Sequence, residues 1–182
     1  MDDGFLTSIE NGRTIALMLK LRDGPCIMKD LKEIVLNFQS LKIRLNEMEK
    51  DGLVNVTTSL DGHKYVVVEL TDLGREIAML FSITNMAVSP NKNISEKSID
   101  MKHFDTVVRL LRGKEYMVQR EIVKNIKTFD TVIRVLDAME SDGLVIKEES
   151  HEGVRQIRYS LTPLGEQIAD VFESVHQKMM AV

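Results

Sequence analysis

The sequence predicts a mainly α-helical α+β fold built from two copies of one unit, on the strength of three observations. The phrase MEKDGLV at Met48–Val54 returns as MESDGLV at Met139–Val145. The same offset of 91 residues brings unrelated stretches into register. It sets Leu70-Thr71-Asp72-Leu73-Gly74 on Leu161-Thr162-Pro163-Leu164-Gly165, Phe38 on Phe129, Leu45 on Leu136, Gly62 on Gly153, and Ile77-Ala78 on Ile168-Ala169. No gap is needed between Leu19/Leu110 and Phe81/Phe172, and the 182 residues are twice the offset. Within each copy the apolar period also changes from helical to alternating, so helices precede a hairpin.

The second copy shows the order of elements most plainly. Met101 to Arg112 places Phe104, Val107, Val108 and Leu111 at helical spacing, and Gly113 ends that first helix. A short second helix, Val118 to Ile126, puts Ile122, Val123 and Ile126 on one face. Thr128 or Asp130 can cap a third helix whose stripe is Val132, Leu136 and Met139, stopped by Gly143. From Leu144 the pattern alternates, with Ile157, Tyr159 and Leu161 opposed to Gln156, Arg158 and Ser160. The polar turn Ser150-His151-Glu152-Gly153 closes a β-hairpin. Thr162 then caps a last helix with Pro163 in its first position.

The first copy repeats this order. A helix from about Ile9 to Leu21 breaks at Asp23-Gly24-Pro25, and a second helix runs near Met28 to Leu36. A third runs from Ser40 to Lys50, a hairpin turns about Asp61-Gly62, and Thr71 caps the last helix. Each unit is thus three helices, a two-stranded hairpin and a helix. The polar stretch from Ser89 to Asp100 reads as a linker. The expected division is residues 1–88, a linker at 89–100, and residues 101–182.

These phrases resemble winged-helix transcription regulators of the HxlR, PadR and MarR kind. In those families the third helix ends in L-x-x-L-E-x-x-G-L-[VI], followed here by Leu45 to Val54 with Met48 in place of the second Leu, and the wing returns through Y-x-L-T-x-x-G, matched by Tyr159 to Gly165. The resemblance implies two tandem winged-helix-turn-helix domains. It further implies that each third helix reads double-stranded DNA and that the wings meet phosphate. A basic residue commonly precedes the Leu of the phrase. Arg44 matches that habit, whereas Val135 departs from it and Arg134 stands one step away.

If Leu41, Leu45 and Met48 face inward, Ile43, Glu47 and Lys50 face outward with Lys42 and Arg44 flanking. In the other copy the outward face holds Arg134, Ala138 and Ser141, flanked by Ile133 and Val135. An arginine there can bridge guanine O6 and N7, and Ile43 can touch a thymine methyl. The candidate DNA contacts of the first copy are Lys29, Lys32, Ser40, Lys42, Ile43, Arg44, Lys50, His63 and Lys64. Those of the second are Arg120, Lys124, Lys127, Thr131, Arg134, Arg155 and Arg158.

Composition bounds the functional classes. Formal net charge is −4, with ten basic and thirteen acidic residues before position 92 and fourteen and fifteen from position 92 onward. That balance excludes a protein that coats nucleic acid non-specifically, so DNA binding has to come from local patches. Glu148, Glu149 and Glu152 around the second hairpin tip disfavour deep insertion into a minor groove there. One cysteine, Cys26, excludes an internal disulfide framework and suits a reducing, cytoplasmic setting. The four histidines are scattered without metal-ligand spacing, and no phosphate-cradling glycine loop occurs, so neither an enzyme nor a metal or other cofactor is expected. No membrane association is expected either, since no apolar run approaches the roughly 20 residues of a spanning helix.

Two functions follow as expectations. The first is a DNA-binding transcription regulator whose fused readers act as an intramolecular pseudo-dimer, as a monomer or a further homodimer. The second is a tandem winged-helix protein-interaction module of a chromosome-organising or transcription assembly. The acidic balance, Ile43 and Val67 favour the latter.

Overall fold

The computed structural model describes residues 9, 13–59, 65–88, 98–150 and 156–181. The first half runs α1 (Thr14–Leu21), β1 (Cys26–Ile27), a 3-10 turn (Asp30–Glu33), α2 (Phe38–Lys50), β2 (Val54–Ser59), β3 (Tyr65–Leu70) and α3 (Asp72–Val88). After a second 3-10 turn (Ser98–Asp100) come α4 (Phe104–Leu111), β4 (Met117–Val118), α5 (Gln119–Ile126), α6 (Phe129–Ser141), β5 (Val145–Ser150), β6 (Gln156–Leu161) and α7 (Pro163–Met180). The architecture is mixed α+β, with two separate three-stranded antiparallel sheets ordered β1-β3-β2 and β4-β6-β5. Their registers recur at the sequence offset: Val54 pairs Leu70 and Val145 pairs Leu161, and Cys26 pairs Val68 where Met117 pairs Tyr159.

Several expected elements differ from the observed ones. The hairpins gain a third strand each, β1 and β4, whose two residues are too short to leave a periodic signal. The helix expected over Met28 to Leu36 is only the 3-10 turn Asp30–Glu33. α2 begins at Phe38 rather than Ser40, since the Asn37 side chain accepts the Ser40 N–H at 3.0 Å and fixes the cap there. The turns at Asp61-Gly62 and at 151–155 lie outside the described residues, as do 10–12 of the expected first helix.

Both hairpins begin in the same way. Gly52 and Gly143 take φ of +69° and +72°, the left-handed geometry that stops α2 and α6 and turns the chain into a strand. The Thr71 hydroxyl then donates to the Gly52 carbonyl at 2.6 Å and accepts the Gly74 N–H at 3.0 Å, while the Thr71 N–H donates to Leu53 O at 3.0 Å. The second half repeats this joint through Thr162, Gly143, Gly165 and Leu144, at 2.7, 3.0 and 2.9 Å. One threonine therefore ends a strand, caps the last helix and ties both to the stop of the preceding helix.

The halves meet through α3 and α7. Phe81 stacks on Phe172 with centroids 5.3 Å apart, Phe172 reaches Phe104 at 5.3 Å, and Lys178 pairs with Glu76 at 2.6 Å. Phe81 and Phe172 are themselves offset-related, so a residue meets its own counterpart, the signature of a two-fold interface. Buried side chains of both halves form one continuous cluster across it. The stretch expected as linker is not wholly linker: Ser98, Ile99 and Asp100 are buried against α1, α4 and α6. Among the described residues no helix is long and apolar enough to cross a membrane.

A Cβ on Gly74 would lie 2.0 Å from the Leu53 carbonyl oxygen, and one on Gly165 2.1 Å from that of Leu144. Gly74→Ala and Gly165→Ala are each expected to lower unfolding free energy by at least about 1–3 kcal/mol, read by urea denaturation, because backbone on both sides has to move. Loss of less than about half a kcal/mol in either variant would mean that the helix slides freely on the strand.

Candidate nucleic-acid interface

α2 and α6 each bury one stripe and leave the rest of the helix outward. Leu41, Leu45 and Met48 are buried in α2, and Val132, Val135, Leu136 and Met139 in α6. Lys42, Ile43 and Lys50 are exposed, as is Ser40 beside the cap. On α6 Arg134 and Ser141 are exposed, Thr131, Ile133 and Ala138 are half-buried, and Val135 is fully buried rather than flanking the outward face. Lys29 and Lys32 are exposed beside α2, and Arg120, Lys124 and Lys127 beside α6. His63, Lys64 and Arg155 lie outside the described residues. Arg158 is half-buried, its guanidinium laid over the Tyr116 ring at 4.3 Å, which takes it away from the free hairpin surface where it was expected.

Arg44 requires the main correction. It was expected to flank the outward face of α2, but its Nε and Nη1 are buried and lack a hydrogen-bond partner. The reason lies in the register: the offset equivalent of Arg44 is Val135, and both positions point inward. Burial lowers the Arg44 pKa, an effect opposed by the Asp100 carboxylate and Glu47 and reinforced by Arg13. The first-half helix therefore presents Lys42, Ile43 and Lys50 outward, and the second presents Arg134.

Asp100 is the carboxylate opposite. Its Oδ1 accepts the Ala16 N–H at 3.2 Å and its backbone carbonyl accepts the Arg13 N–H at 2.9 Å, so a residue of the intervening stretch caps the N-terminus of α1. Arg13 adopts φ of +61° to make this approach. Burial raises the Asp100 pKa to about 7 against the opposing pull of the Ala16 N–H, Arg13 and Arg44. Nearby, burial also raises the Asp105 carboxyl, with Arg109 at 3.3 Å pulling the other way.

Concavities open beside several of these elements. One, about 620 Å³, lies between α1, the first 3-10 turn and α3, bridged by Lys20 and Glu33 at 2.8 Å. Two others, about 300 and 420 Å³, sit at the start of α2 and of α6, where Phe38 and Phe129 are 51% and 56% exposed. The Lys32 ammonium lies 5.9 Å from the Phe38 ring centroid. The repeat had marked both phenylalanines as equivalent, but an aromatic at a helix start reads as core until its exposure is known. Among the described residues no cluster of three or more His, Cys, Asp or Glu could hold a metal. Comparison with protein-family models and with curated proteins gave no match.

Asp100 supplies a pH dependence whose sign follows from its raised value. Below about pH 4 the carboxyl is neutral in folded and unfolded chains alike, and its contribution to stability is full. Between about 4 and 7 the folded state keeps a proton that the unfolded chain releases, so that contribution falls as pH rises and levels off above the folded pKa. The stability of the parent minus that of Asp100→Asn should thus drop by on the order of 3 kcal/mol from pH 4 to pH 7, measured by urea denaturation. A pH-independent difference would place the carboxylate in water.

Proposed function

We propose that the chain is a DNA-binding transcription regulator in which two winged helices are fused as an intramolecular pseudo-dimer. The observation that carries this reading is that α2 and α6 sit at equivalent places in two units that meet through the counterpart residues Phe81 and Phe172. Related regulators reach the same two-fold arrangement by pairing separate chains. Each unit brings exposed cations to one side of its third helix: Lys29, Lys32, Lys42 and Lys50 in the first, and Arg120, Lys124, Lys127 and Arg134 in the second. In an acidic chain such clustering is what local phosphate binding requires. Because the outward side chains differ, with Ile43 where the second unit has Arg134, the two readers would address a non-palindromic site.

A second reading, a tandem winged-helix protein-interaction module, is favoured by one specific observation. α3 exposes Met79, Ile83 and Met86, whereas their equivalents on α7 are Asp170, Ser174 and Gln177. An apolar stripe on one copy alone is not a requirement of the fold and suits a protein partner.

The test separates base from phosphate contacts. Sequences bound by the intact chain are selected from random duplex, and variants are compared on the selected site and on scrambled duplex across a salt series. Arg134→Ala is expected to cost roughly 1–3 kcal/mol on the selected site alone. Lys29→Ala and Lys124→Ala should weaken binding to both DNAs and make the salt slope shallower by about one unit each. Arg44→Ala should alter stability rather than sequence preference, since its Nε and Nη1 are buried. Unchanged affinity in Arg134→Ala, Lys29→Ala and Lys124→Ala would reject DNA reading in favour of the interaction module.

A further inference from the structure

The grooves at the starts of α2 and α6 are the same groove written twice. Ile27, Lys29, Phe38 and Val66 line the first, and Val118, Arg120, Phe129 and Ile157 stand at the equivalent places in the second. Each has an apolar β-branched floor, one half-exposed phenyl wall and a cation at the rim. The first adds Lys32 and Tyr65. Among the described residues neither lining contains a carboxylate, although the chain as a whole carries four more acids than bases.

The exposed phenyl ring is the informative part. Along α2 and α6 most outward residues have diverged, Ile43 to Arg134, Glu47 to Ala138 and Lys50 to Ser141, whereas Phe38 and Phe129, like the exposed pair Glu49 and Glu140, are identical. Neither ring is needed to fill the core, since about half of each faces solvent. A cation beside a half-exposed aromatic ring, with Lys32 itself lying over that of Phe38, matches two features of one ligand, the phosphate and the flat face of a base. In a duplex those faces are covered by stacking and only base edges are open, so the ring can be used in full only by an unpaired base. Volumes of about 300 and 420 Å³ lie at the small end of ligand sites, the scale of single bases rather than a base pair.

We propose that each groove binds an unpaired base of single-stranded DNA by stacking it on Phe38 or Phe129, with the adjoining phosphate on Lys29 or Arg120. This deepens the DNA-binding reading and rests on it for the orientation of α2 and α6. It adds that the chain engages a strand where the duplex is open. An apolar side chain of a protein partner could enter the same grooves, but the carboxylate-free linings favour phosphate.

The intact chain is titrated with a fluorescently labelled single-stranded oligonucleotide and, separately, with a blunt duplex. Phe38→Ala and Phe129→Ala are each expected to weaken single-strand binding about tenfold and the double variant about 100-fold, while duplex affinity changes less than about twofold. Phe38→Leu/Phe129→Leu, which keeps apolar bulk without a ring, should lose nearly as much, and Phe38→Tyr/Phe129→Tyr should bind like the parent. Thermal unfolding of every variant checks that the fold is kept, and the Leu and Tyr pairs carry the test if the Ala pair is unstable. A parent that binds duplex but not single strand overturns this inference and leaves the duplex reading standing. A parent that binds single strand alone supports it and overturns the duplex reading. Binding to neither overturns both, and single-strand affinity that the Ala and Leu pairs leave intact overturns the stacking.

Discussion

The approach of the Leu53 carbonyl to the Cα of Gly74, repeated between Leu144 and Gly165, is the constraint on which the rest of the molecule depends. Only glycine lets the last helix cross the start of the hairpin at this distance. The threonine three residues earlier makes the crossing directional, because its hydroxyl bonds the helix stop on one side and the new helix on the other. The direction in which α3 and α7 leave their sheets is set here, and with it the meeting of Phe81 and Phe172. That explains why D-G-L-V and L-T-x-x-G are the best-kept phrases of the two copies. Each holds one side of a single joint.

Fusion of the units has allowed the copies to differ where a symmetric dimer could not. Arg44 occupies an inward position at which the other half buries Val135, and the cost of placing a guanidinium there is offset only in part by Asp100. Asp100 comes from outside the first unit and also caps α1. A buried charge without full hydrogen bonding adds little net stability, but removing one partner leaves the other stranded. The cluster therefore acts mainly on specificity of arrangement, holding the 98–100 segment against α1 rather than leaving it free.

The divergence is not uniform across the surface. Most outward positions of α2 and α6 differ, Glu49 and Glu140 excepted, and the free face of α3 is apolar where that of α7 is polar. The grooves at the helix starts instead keep their phenyl wall and rim cation in both halves. A drifting surface would lose an exposed aromatic as readily as its neighbours.

Element order, the 91-residue repeat, the glycine helix stops and the threonine caps were all legible in the sequence, because each rests on local periodicity or on a residue whose backbone chemistry has few alternatives. The exposed cations at Lys42, Lys124 and Arg134 were also legible, since a helical wheel needs only the positions of its buried neighbours. What the tertiary structure alone decided depends on contacts between distant segments. The two-residue strands β1 and β4 exist only by pairing with β3 and β6, far along the chain. Arg44 sits at the margin of its wheel, and its burial brings it under the charge of Asp100, 56 positions away in sequence and carrying no local mark of its role. The phenylalanines at the helix starts, whose identity was plain, gained their meaning only when packing left half of each ring in solvent. Periodicity encodes which side of a helix is apolar, whereas what covers that side is a property of the assembled chain.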